Sequence, residues 1–286
     1  MSAVGKGKNM KFCDLHTHSN YSDGTYTPAE LVEAAVKEGL SAIALTDHNS
    51  VDGLTEFLKA AESKNIEAIP GVEFSVDYSG KELHLVALFI QEEYFAEISE
   101  MMADGKRRKE QSNIELVRAL NAAGYKIEYE KIKAASPSGN INRAHIAAAL
   151  TEAGYVKSRE EAFLSILSPK TGFYKPPKRL DFFDMVRYVK NIGAVPVLAH
   201  PFLKLSEEEL TVLLPRAKEA GLIGIECCYS THNEEQTKTA FYLADRFNLK
   251  YSGGSDFHGG NKPDIAIGTG KGNLRVPYAF AEALKL

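Results

Sequence analysis

Short apolar runs alternate with amphipathic stretches along most of this chain, and each apolar run ends in a polar, chemically reactive residue. Apolar runs of about four to eight residues are typical of buried strands, and the amphipathic stretches between them predict helices that cover the sheet. An alternation of this kind is typical of a parallel α/β barrel. We therefore predict an α/β fold.

The first strand-helix-strand unit carries the clearest local signals. Thr27 and Glu30 form a capping box, Pro28 stands at the first helical position, and Gly39 ends the helix. The apolar run 11–15 precedes this helix, and the run 42–46 follows it. Because crossovers between parallel strands are right-handed, these two runs predict neighbouring parallel strands.

The same rhythm continues along the chain but breaks in its middle. Residues from Gln91 to about Arg179 are mostly helix-like, which indicates a helical insertion. We therefore expect a discontinuous barrel domain at 11–95 and 180–286, a helical insertion domain at 96–179 that caps the substrate, and a flexible leader at 1–10. Further strands are expected at Ala68–Phe74, Leu83–Phe89, Ala194–Ala199, Leu222–Cys228 and Leu249–Ser252.

Charge and cysteine content limit the partners of this chain. Its 34 Lys and Arg stand against 38 Asp and Glu, a formal net charge of −4, which argues against a protein that coats long nucleic acid or an anionic membrane. A small or short anionic ligand is compatible with this charge. No apolar stretch approaches the roughly 20 residues that span a bilayer. The three cysteines are odd in number and two are adjacent, which favours buried thiols in a reducing compartment, so we expect a cytoplasmic protein.

Most of the histidines, and several carboxylates, stand at or just beyond the ends of predicted strands. In His16-Thr17-His18 both imidazoles project to the same side of an extended strand end, so they can chelate one ion. Parallel barrels place the carboxyl ends of their strands at one rim, where these scattered residues would converge. A lone histidine such as His232 is better interpreted as a core or surface residue, but the joint pattern predicts a metal site, and its nitrogen and oxygen ligands suit Zn, Mn or Fe. The segments are Asp14-Leu15-His16-Thr17-His18, Ser22-Asp23-Gly24, Thr46-Asp47-His48, Gly71-Val72-Glu73, His84, Ala199-His200-Pro201 and Ser255-Asp256-Phe257-His258.

These segments, in this order, resemble the signature motifs of the PHP (polymerase and histidinol phosphatase) superfamily. The chain is similar to the branch of bacterial nucleotide phosphoesterases that carry a helical insertion. The motifs cover residues 13–90 and 194–260, and the insertion extends the resemblance to most of the chain. The resemblance implies a distorted (β/α)7 TIM-like barrel with a helical insertion domain, holding two or three divalent metal ions, which are Mn, Fe or Zn. One departure is the run after His84, Leu-Val-Ala-Leu-Phe, where many relatives have a Leu-Leu-Gly-Tyr-like run.

The resemblance also implies a set of metal ligands and catalytic residues. The predicted catalytic residues are Glu73, which would bridge two ions, His200 and Asp256. Asp14 is no part of this implied set; from its position beside His16 and His18 we expect it to orient a histidine through that histidine's other nitrogen. Paired ions lower the pKa of a bound water and neutralise phosphate charge. We therefore expect a metal-activated hydroxide to attack phosphorus. The leaving oxygen would be stabilised by a metal or protonated by His200 or by water. The implied ligands are His16, His18, Glu73 and Asp256 for one ion, Glu73, His84 and His200 for a second, and Asp23, His48 and His258 for a third.

Part of the insertion resembles a phosphate-binding segment. Residues 140–147 match the Arg-x-His-Ile-Ala pattern by which this branch reaches a substrate phosphate. Arg143 offers a bidentate fork and His145 a second donor, with Asn142 beside them, although a solvated helix N-terminus would also explain the segment. Three aromatic residues are candidates either to stack on a base or to pack in the interior: Tyr174, Tyr229 and Phe257.

The resemblance implies a metal-dependent phosphoesterase that hydrolyses phosphate monoesters of nucleotides, such as nucleoside 3′,5′-bisphosphates, or the 5′ ends of short RNA. Its partner would be a small phosphorylated nucleotide or short oligonucleotide, and neither long nucleic acid nor a membrane is expected. A histidinol-phosphatase-like enzyme is the alternative within the family, and the insertion disfavours it. An amidohydrolase-type metal hydrolase and a non-catalytic metal-binding module are the alternatives outside it. An intact ligand set disfavours the second of these.

Overall fold

The computed structural model describes residues 10–134, 141, 143–175, 177 and 179–285, and the predicted leader lies outside this range except for Met10. The described residues form two compact units, which we call the barrel unit (to Ser99 and from Leu180) and the helical unit (Glu100–Arg179). The strands are β1 (Phe12–Asp14), β2 (Ala42–Leu45), β3 (Glu67–Tyr78), β4 (Lys81–Leu88), β5 (Leu180–Asp181), β6 (Val195–Leu198), β7 (Gly224–Tyr229), β8 (Lys250–Gly254) and β9 (Val276–Pro277). The α-helices are α1 (Pro28–Glu38), α2 (Leu54–Ala61), α3 (Phe95–Ala122), α4 (Tyr129–Ala134), α5 (Arg143–Glu152), α6 (Arg159–Leu164), α7 (Phe182–Asn191), α8 (Glu207–Ala220), α9 (Glu234–Arg246) and α10 (Tyr278–Leu284).

The sheet of the barrel unit is a nearly closed barrel. Its strands lie in the order β8-β7-β6-β4-β3-β2-β1, and β9 pairs with the outer edge of β1 while β5 pairs with β3. The chain just beyond β1 meets the end of β8 and the loop after it: Leu15 N–H donates to Gly253 O (3.1 Å), and Asp256 N–H donates to His16 O (2.9 Å). The predicted α/β barrel class is confirmed.

One ring strand departs from the expected parallel arrangement. β4 runs antiparallel to both of its neighbours, β3 and β6. The reason is the tight turn at Ser79-Gly80, where both residues have positive φ, because two residues suffice for a hairpin whereas a parallel crossover needs a dozen or more. The first half of β4 therefore lies at the rim where its neighbours end: His84 is paired with Ser75, late in β3.

Local signals in the sequence explain how the first crossover forms. The Thr27 hydroxyl accepts from Glu30 N–H, the Glu30 carboxylate accepts from Thr27 N–H, and Pro28 occupies the first helical turn of α1. Gly39 ends the helix at φ 76°, a left-handed conformation that glycine adopts without steric cost. The helix packs Leu31, Val32 and Ala35 into the interior. This unit places β1 and β2 in parallel register and so brings the segments that follow them to one rim.

Each unit has its own apolar core. In the barrel unit, Leu15, Ile69 and Val197 belong to a cluster of buried side chains drawn from several ring strands. In the helical unit, Leu116, Leu120, Ile146, Leu150 and neighbouring side chains form a second cluster. Among the described residues, no helix is both long and apolar enough to cross a membrane.

Candidate metal centre

Glu73 lies at the centre of a cluster of polar side chains at the barrel rim. Its side chain is fully buried on β3. Among the described residues, five imidazoles approach its two carboxylate oxygens. Oε2 faces His16 Nε2 (3.2 Å), His18 Nε2 (3.3 Å) and His48 Nδ1 (2.9 Å), and Oε1 faces His84 Nδ1 (2.8 Å) and His200 Nε2 (2.9 Å).

Two further carboxylates extend the cluster on the side of the ring closure. Asp256 Oδ1 lies 3.2 Å from His18 Nε2 and 3.7 Å from His16 Nε2. Asp23, in the loop after β1, lies 3.1 Å from His258 Nε2 and has a side chain that is 56% exposed. Asp23 is thus the carboxylate of the cluster that is open to solvent, whereas Glu73 and Asp256 are buried.

The ligand atoms of these residues fall into four overlapping groups, each compact enough to hold one metal ion. All nine residues that the sequence analysis named as ligands occur in at least one group, so the structure brings the whole predicted set together. The grouping differs in detail from the implied one, because His18 joins the group around Asp23 and His48 joins Glu73 and His84. The groups are His18, Asp23, His48 and His258; His16, Glu73 and His200; His16, His18 and Asp256; and His48, Glu73 and His84.

Buried atoms without hydrogen-bond partners show that this cluster suits a cation. His16 Nε2, both ring nitrogens of His18, and Glu73 Oε2 are inaccessible to solvent, and none makes a properly angled hydrogen bond within the described structure. An unpaired buried polar atom costs about 1–3 kcal/mol. Because imidazole nitrogens and carboxylate oxygens are the ligands that Zn, Mn and Fe accept, a divalent ion would satisfy these atoms together.

The pKa shifts within the cluster follow from burial and from the packing of opposite charges. Burial alone would raise the pKa of Glu73, but His16 and the other imidazoles outweigh it and hold that pKa well below its usual range. Burial lowers the pKa of His18 to about 3. For His84 burial acts in the same direction, yet its contacts with Glu73 and Glu82 raise its pKa to about 9. Glu73 and Asp256, whose pKa values are both lowered, are therefore ionised and can bind a cation. The cation must displace protons from some of the histidines.

Backbone geometry helps to aim two of these side chains. His200 follows β6 with φ 27° and ψ 58°, and Asp256 follows β8 with φ 57°. Both therefore have the positive φ that few non-glycine residues adopt, and such conformations cluster at functional sites. Gly254 supports the same region, because a Cβ at this position would overlap the backbone nitrogen and Cβ of His16.

A buried carboxylate that the sequence analysis did not single out lies behind the cluster. Glu226 Oε1 is 2.8 Å from His16 Nδ1, and Glu226 Oε2 accepts from His200 N–H at 2.5 Å. Asp14 was expected to orient a histidine ring, and this expectation needs correction. Its carboxylate accepts backbone N–H groups instead, mainly those of Ser255 (2.8 Å) and Gly268 (2.7 Å). The available signal for Glu226 was a lone carboxylate inside an apolar strand, which requires a buried partner.

A cavity of about 240 Å³ opens beside the cluster. Imidazoles of the cluster and Asp256 line it, together with Tyr229 and two lysines, Lys204 and Lys262. Lys262 Nζ donates to Asp256 Oδ2 at 2.7 Å, and Tyr229 Oη donates to the same oxygen at 2.8 Å. Glu82 also lines the cavity, but the two lysines and the candidate ligands of cations beside them favour an anionic group.

The predicted substrate-binding residues belong to the helical unit, apart from the candidate base-stacking residues Tyr229 and Phe257. Asn142 lies outside the described residues. Arg143 is the first residue of α5, and its guanidinium lies over the ring of Tyr174 at 4.4 Å, while His145 stands one position beyond Ala144 on the same helix. Tyr229 and Phe257 are 5% and 7% exposed, so packing is the better interpretation for both.

Together the fold and the cluster define a barrel protein with a candidate multinuclear metal centre at one rim. The PHP domain family matches residues 14–174, more than half of the chain, and the chain belongs to this family.

Curated relatives cover most of the chain at similar identity. The sequence is 30% identical to a 5′-3′ exoribonuclease of Haemophilus influenzae (86% of this chain, 89% of that protein). It is 30% identical to a phosphoribosyl 1,2-cyclic phosphate 1,2-diphosphodiesterase of Eggerthella lenta (89% and 97%) and 31% identical to a 3′,5′-nucleoside bisphosphate phosphatase of Chromobacterium violaceum (87% and 88%). The structure matches that of a candidate metal-dependent phosphoesterase of Bifidobacterium adolescentis with a TM-score of 0.68 and 28% identity (96% and 95%). The predicted family and the predicted class of enzyme, a metal-dependent hydrolase of phosphoric esters, are confirmed.

Proposed function

We propose that this enzyme hydrolyses phosphate monoesters of nucleotides, such as nucleoside 3′,5′-bisphosphates, or the 5′ ends of short RNA. One observation carries the proposal: nine imidazole and carboxylate side chains, Glu73 among them, gather at the barrel rim, and several of their buried atoms lack partners that a cation would supply. Because the family and the class of reaction are known, the cavity beside this cluster is the place where the phosphate ester would bind.

We propose the nine residues as ligands of two or three divalent ions, Mn, Fe or Zn. Glu73 has two oxygens that face different imidazoles, so it is suited to bridge two ions. Asp23 lies near His18 Nδ1, whereas Glu73 lies near His18 Nε2, so Asp23 and its neighbour His258 would serve a further ion. The proposed set is His16, His18, Asp23, His48, Glu73, His84, His200, Asp256 and His258.

Divalent ions in such a centre lower the pKa of a coordinated water and neutralise the negative charge that phosphoryl transfer develops. The protein's own side chains set the geometry around them. Glu73 and Asp256, ionised and buried, fix the ligand cluster from two sides. His200 lines the cavity, and we propose it chiefly as a ligand beside Glu73, since its Nε2 points at the Glu73 carboxylate. Lys262, also on the cavity wall, forms an ion pair with Asp256 and would have donor hydrogens left for the phosphate.

We propose that Arg143 and His145, with Asn142, bind a second phosphate of the substrate, the one that is not cleaved. The guanidinium of Arg143 stacks on Tyr174 and lies 5.7 Å from the ring of Phe163. Stacking fixes the plane of a guanidinium through its face and leaves its N–H edge available for a bidentate bond to phosphate. A nucleotide with phosphates at both the 3′ and 5′ positions would use such a second binding group.

The alternatives that remained from the sequence are less well supported. The relatives named above are phosphoesterases, whereas an amidohydrolase would cleave C–N or C–O bonds. The additional group around Asp23, His48 and His258 exceeds what a two-metal amidohydrolase requires. A histidinol-phosphatase-like enzyme is disfavoured by the helical unit, which supplies the proposed second phosphate site.

The test measures hydrolysis by the manganese-loaded protein: phosphate release from adenosine 3′,5′-bisphosphate, AMP and histidinol phosphate, and release of phosphate or of nucleoside monophosphate from a short 5′-phosphorylated RNA. We expect the bisphosphate or the RNA to be preferred by at least about tenfold in kcat/KM. Preference for histidinol phosphate, or hydrolysis of a lactone or amide without phosphate release, would overturn the proposal.

We also propose that the enzyme works in the cytoplasm. The three cysteines are unpaired, and two of them, Cys13 and Cys227, are buried. Burial raises the pKa of both thiols, which keeps them protonated and unreactive in a reducing compartment. Fractionation of cells that express the protein with a small tag tests this proposal, and recovery with extracytoplasmic material would contradict it.

A further inference from the structure

Six of the seven ring strands carry or immediately precede a proposed metal ligand, and β7 does not. β3 and β4 carry Glu73 and His84, and the chain segments after β1, β2, β6 and β8 carry the others. Within the described part of the ring, β7 therefore stands out as the strand without a ligand. Two of its side chains nevertheless face the cluster, Glu226 and Tyr229.

Glu226 contacts two proposed ligands that belong to different strands. Its Oε1 lies 2.8 Å from His16 Nδ1, while its Oε2 accepts the backbone N–H of His200 at 2.5 Å. A carboxylate can only accept, so Nδ1 of His16 must carry the proton in this bond. The Nε2 lone pair of His16 is then left free for an ion on the side of Glu73.

Tyr229 contacts a third proposed ligand, Asp256, and holds it through a hydrogen bond. Its hydroxyl donates to Asp256 Oδ2 at 2.8 Å, which leaves Oδ1 on the side of His18 and His16. The ring of Tyr229 also packs against the ring of His200, with centroids 5.2 Å apart. Tyr229 is 5% exposed, so this arrangement is held inside the protein.

An irregularity in β7 explains how both side chains reach the same cluster. Residues three apart on a regular strand point to opposite faces of the sheet. The register with β8 shifts between Glu226 and Cys228: Glu226 is opposite Ser252, and Cys228 is opposite Gly253, so Cys227 is an extra residue. Such a bulge changes the alternation by one residue, which allows Glu226 and Tyr229 to face the same side.

We propose that β7 is the orienting strand of the metal centre, with Glu226 and Tyr229 as positioning residues for His16, His200 and Asp256. The proposal rests on the ligand set given under the proposed function. Glu226 connects the His16 side chain to the positive-φ backbone of His200, so its loss would disturb more than one ion. Without its carboxylate, His16 could carry its proton on Nε2, where it would block metal binding.

The first experiment compares Glu226→Gln with wild type for manganese and zinc binding, by titration calorimetry and by elemental analysis after dialysis. Glutamine has nearly the same volume but only one acceptor oxygen, so it cannot serve both His16 and His200. We expect metal affinity to fall about 10- to 100-fold and bound metal to decrease. Glu67→Gln is the matched control, because Glu67 lies on β3 but bonds Tyr278 and Lys285 away from the cluster. Its metal binding should equal that of wild type.

Tyr229→Phe removes one hydroxyl and keeps the ring, so it isolates the bond to Asp256. We expect metal affinity to fall about three- to tenfold, which is less than for Glu226→Gln. At saturating metal, we expect the fold-decrease in kcat to exceed the fold-change in KM. Unchanged metal affinity in both folded variants would overturn the proposal.

A measurement on the wild-type protein covers the case in which Glu226→Gln does not fold. Long-range 1H–15N spectra of the zinc-loaded protein report which ring nitrogen of His16 carries the proton. We expect the proton on Nδ1, and a proton on Nε2 would overturn the proposal. These readouts are independent of substrate turnover: a wild-type protein that binds metal but hydrolyses none of the phosphate esters tested would refute the proposed function and leave the role of β7 intact.

Discussion

At the scale of single residues, each buried carboxylate of the cluster contacts several neighbouring side chains. Glu73 offers two oxygens to five imidazoles, and Asp256 divides its two oxygens between the histidines on one side and Lys262 and Tyr229 on the other. Neither carboxylate can satisfy all of its neighbours through hydrogen bonds, which explains why unpartnered nitrogens remain in the described structure. A carboxylate with this many contacts is difficult to replace, even by its amide.

Asp256→Asn tests the carboxylate at the ring closure. The amide keeps the shape of the side chain but loses the charge that a ligand supplies and the ion pair with Lys262. We expect kcat to fall at least about 100-fold with the fold retained in circular dichroism. Asp184→Asn, on the exposed side of α7, is the control and should behave as wild type. Near-wild-type turnover of Asp256→Asn would remove Asp256 from the site.

Metal binding should release protons at neutral pH. The pKa of His84 is raised to about 9, so its ring is protonated at pH 7 in the metal-free protein, and the contacts with Glu73 and Glu226 raise the pKa of His16 as well. An ion can bind His84 only after its ring has lost that proton, and affinity should therefore rise with pH and fall as the pH is lowered. Calorimetric titration with Mn²⁺ in two buffers of different ionisation enthalpy measures the number of protons released. An apparent binding enthalpy that does not depend on the buffer would contradict this prediction.

At the scale of elements, most of the proposed metal ligands lie in the chain segments that follow the ring strands. The sequence was sufficient to predict β1, β2 and α1, because capping residues and apolar runs are local signals, and it placed the proposed ligands just beyond these strands. The sequence pattern grouped His84 with residues at the carboxyl ends of parallel strands. This reason does not apply to His84, because β4 runs antiparallel and His84 reaches the rim from the first half of its strand. Glu226 was missed because its partner His16 is 210 positions away and nothing local marks the pairing.

Gly254→Ala tests the close approach of β8 to the ring closure. The added methyl group would overlap the backbone of His16, so His16 must move or β8 must shift. We expect a destabilisation of about 1–3 kcal/mol in denaturant unfolding, together with weaker metal binding. Gly105→Ala, in α3, has open space around the new methyl group and is the control. Equal stability of Gly254→Ala and wild type would show that the contact is not tight.

Arg143→Ala tests the phosphate-binding role proposed for α5. We expect kcat/KM for adenosine 3′,5′-bisphosphate to fall about 100-fold, while turnover of a simple aryl phosphate, which has no second phosphate, changes little. Lys131→Ala on α4 serves as the control for a general loss of positive charge. Equal losses on both substrates would contradict the role of Arg143.

At the scale of the whole molecule, the two units have separate cores. The composition and rhythm of the chain predicted a helical insertion, and the described residues form compact units with a boundary between Ser99 and Glu100 and another between Arg179 and Leu180. The detailed grouping of ligands could not be predicted, because it depends on sub-ångström placement of rings that come from many strands.

Removal of metal should loosen the barrel unit and leave the helical unit unchanged. A ligand at 100 times its Kd stabilises the folded state by about 2.7 kcal/mol, and all proposed metal ligands lie in the barrel unit. After treatment with a chelator, hydrogen–deuterium exchange should rise around His16–Asp23 and Ser255–His258. Exchange in α5 should remain the same, and a rise there of similar size would contradict this prediction.

The closure of the ring also has a consequence for biosynthesis. The hydrogen bonds that close it join Leu15 to Gly253 and His16 to Asp256, so the earliest and latest parts of the barrel must meet. Pairings this distant in sequence form slowly, because a long loop of chain must be closed first. The proposed metal centre can therefore assemble only after the chain has been synthesised beyond Asp256 and His258, because a nascent chain that stops before them lacks two of the proposed ligands.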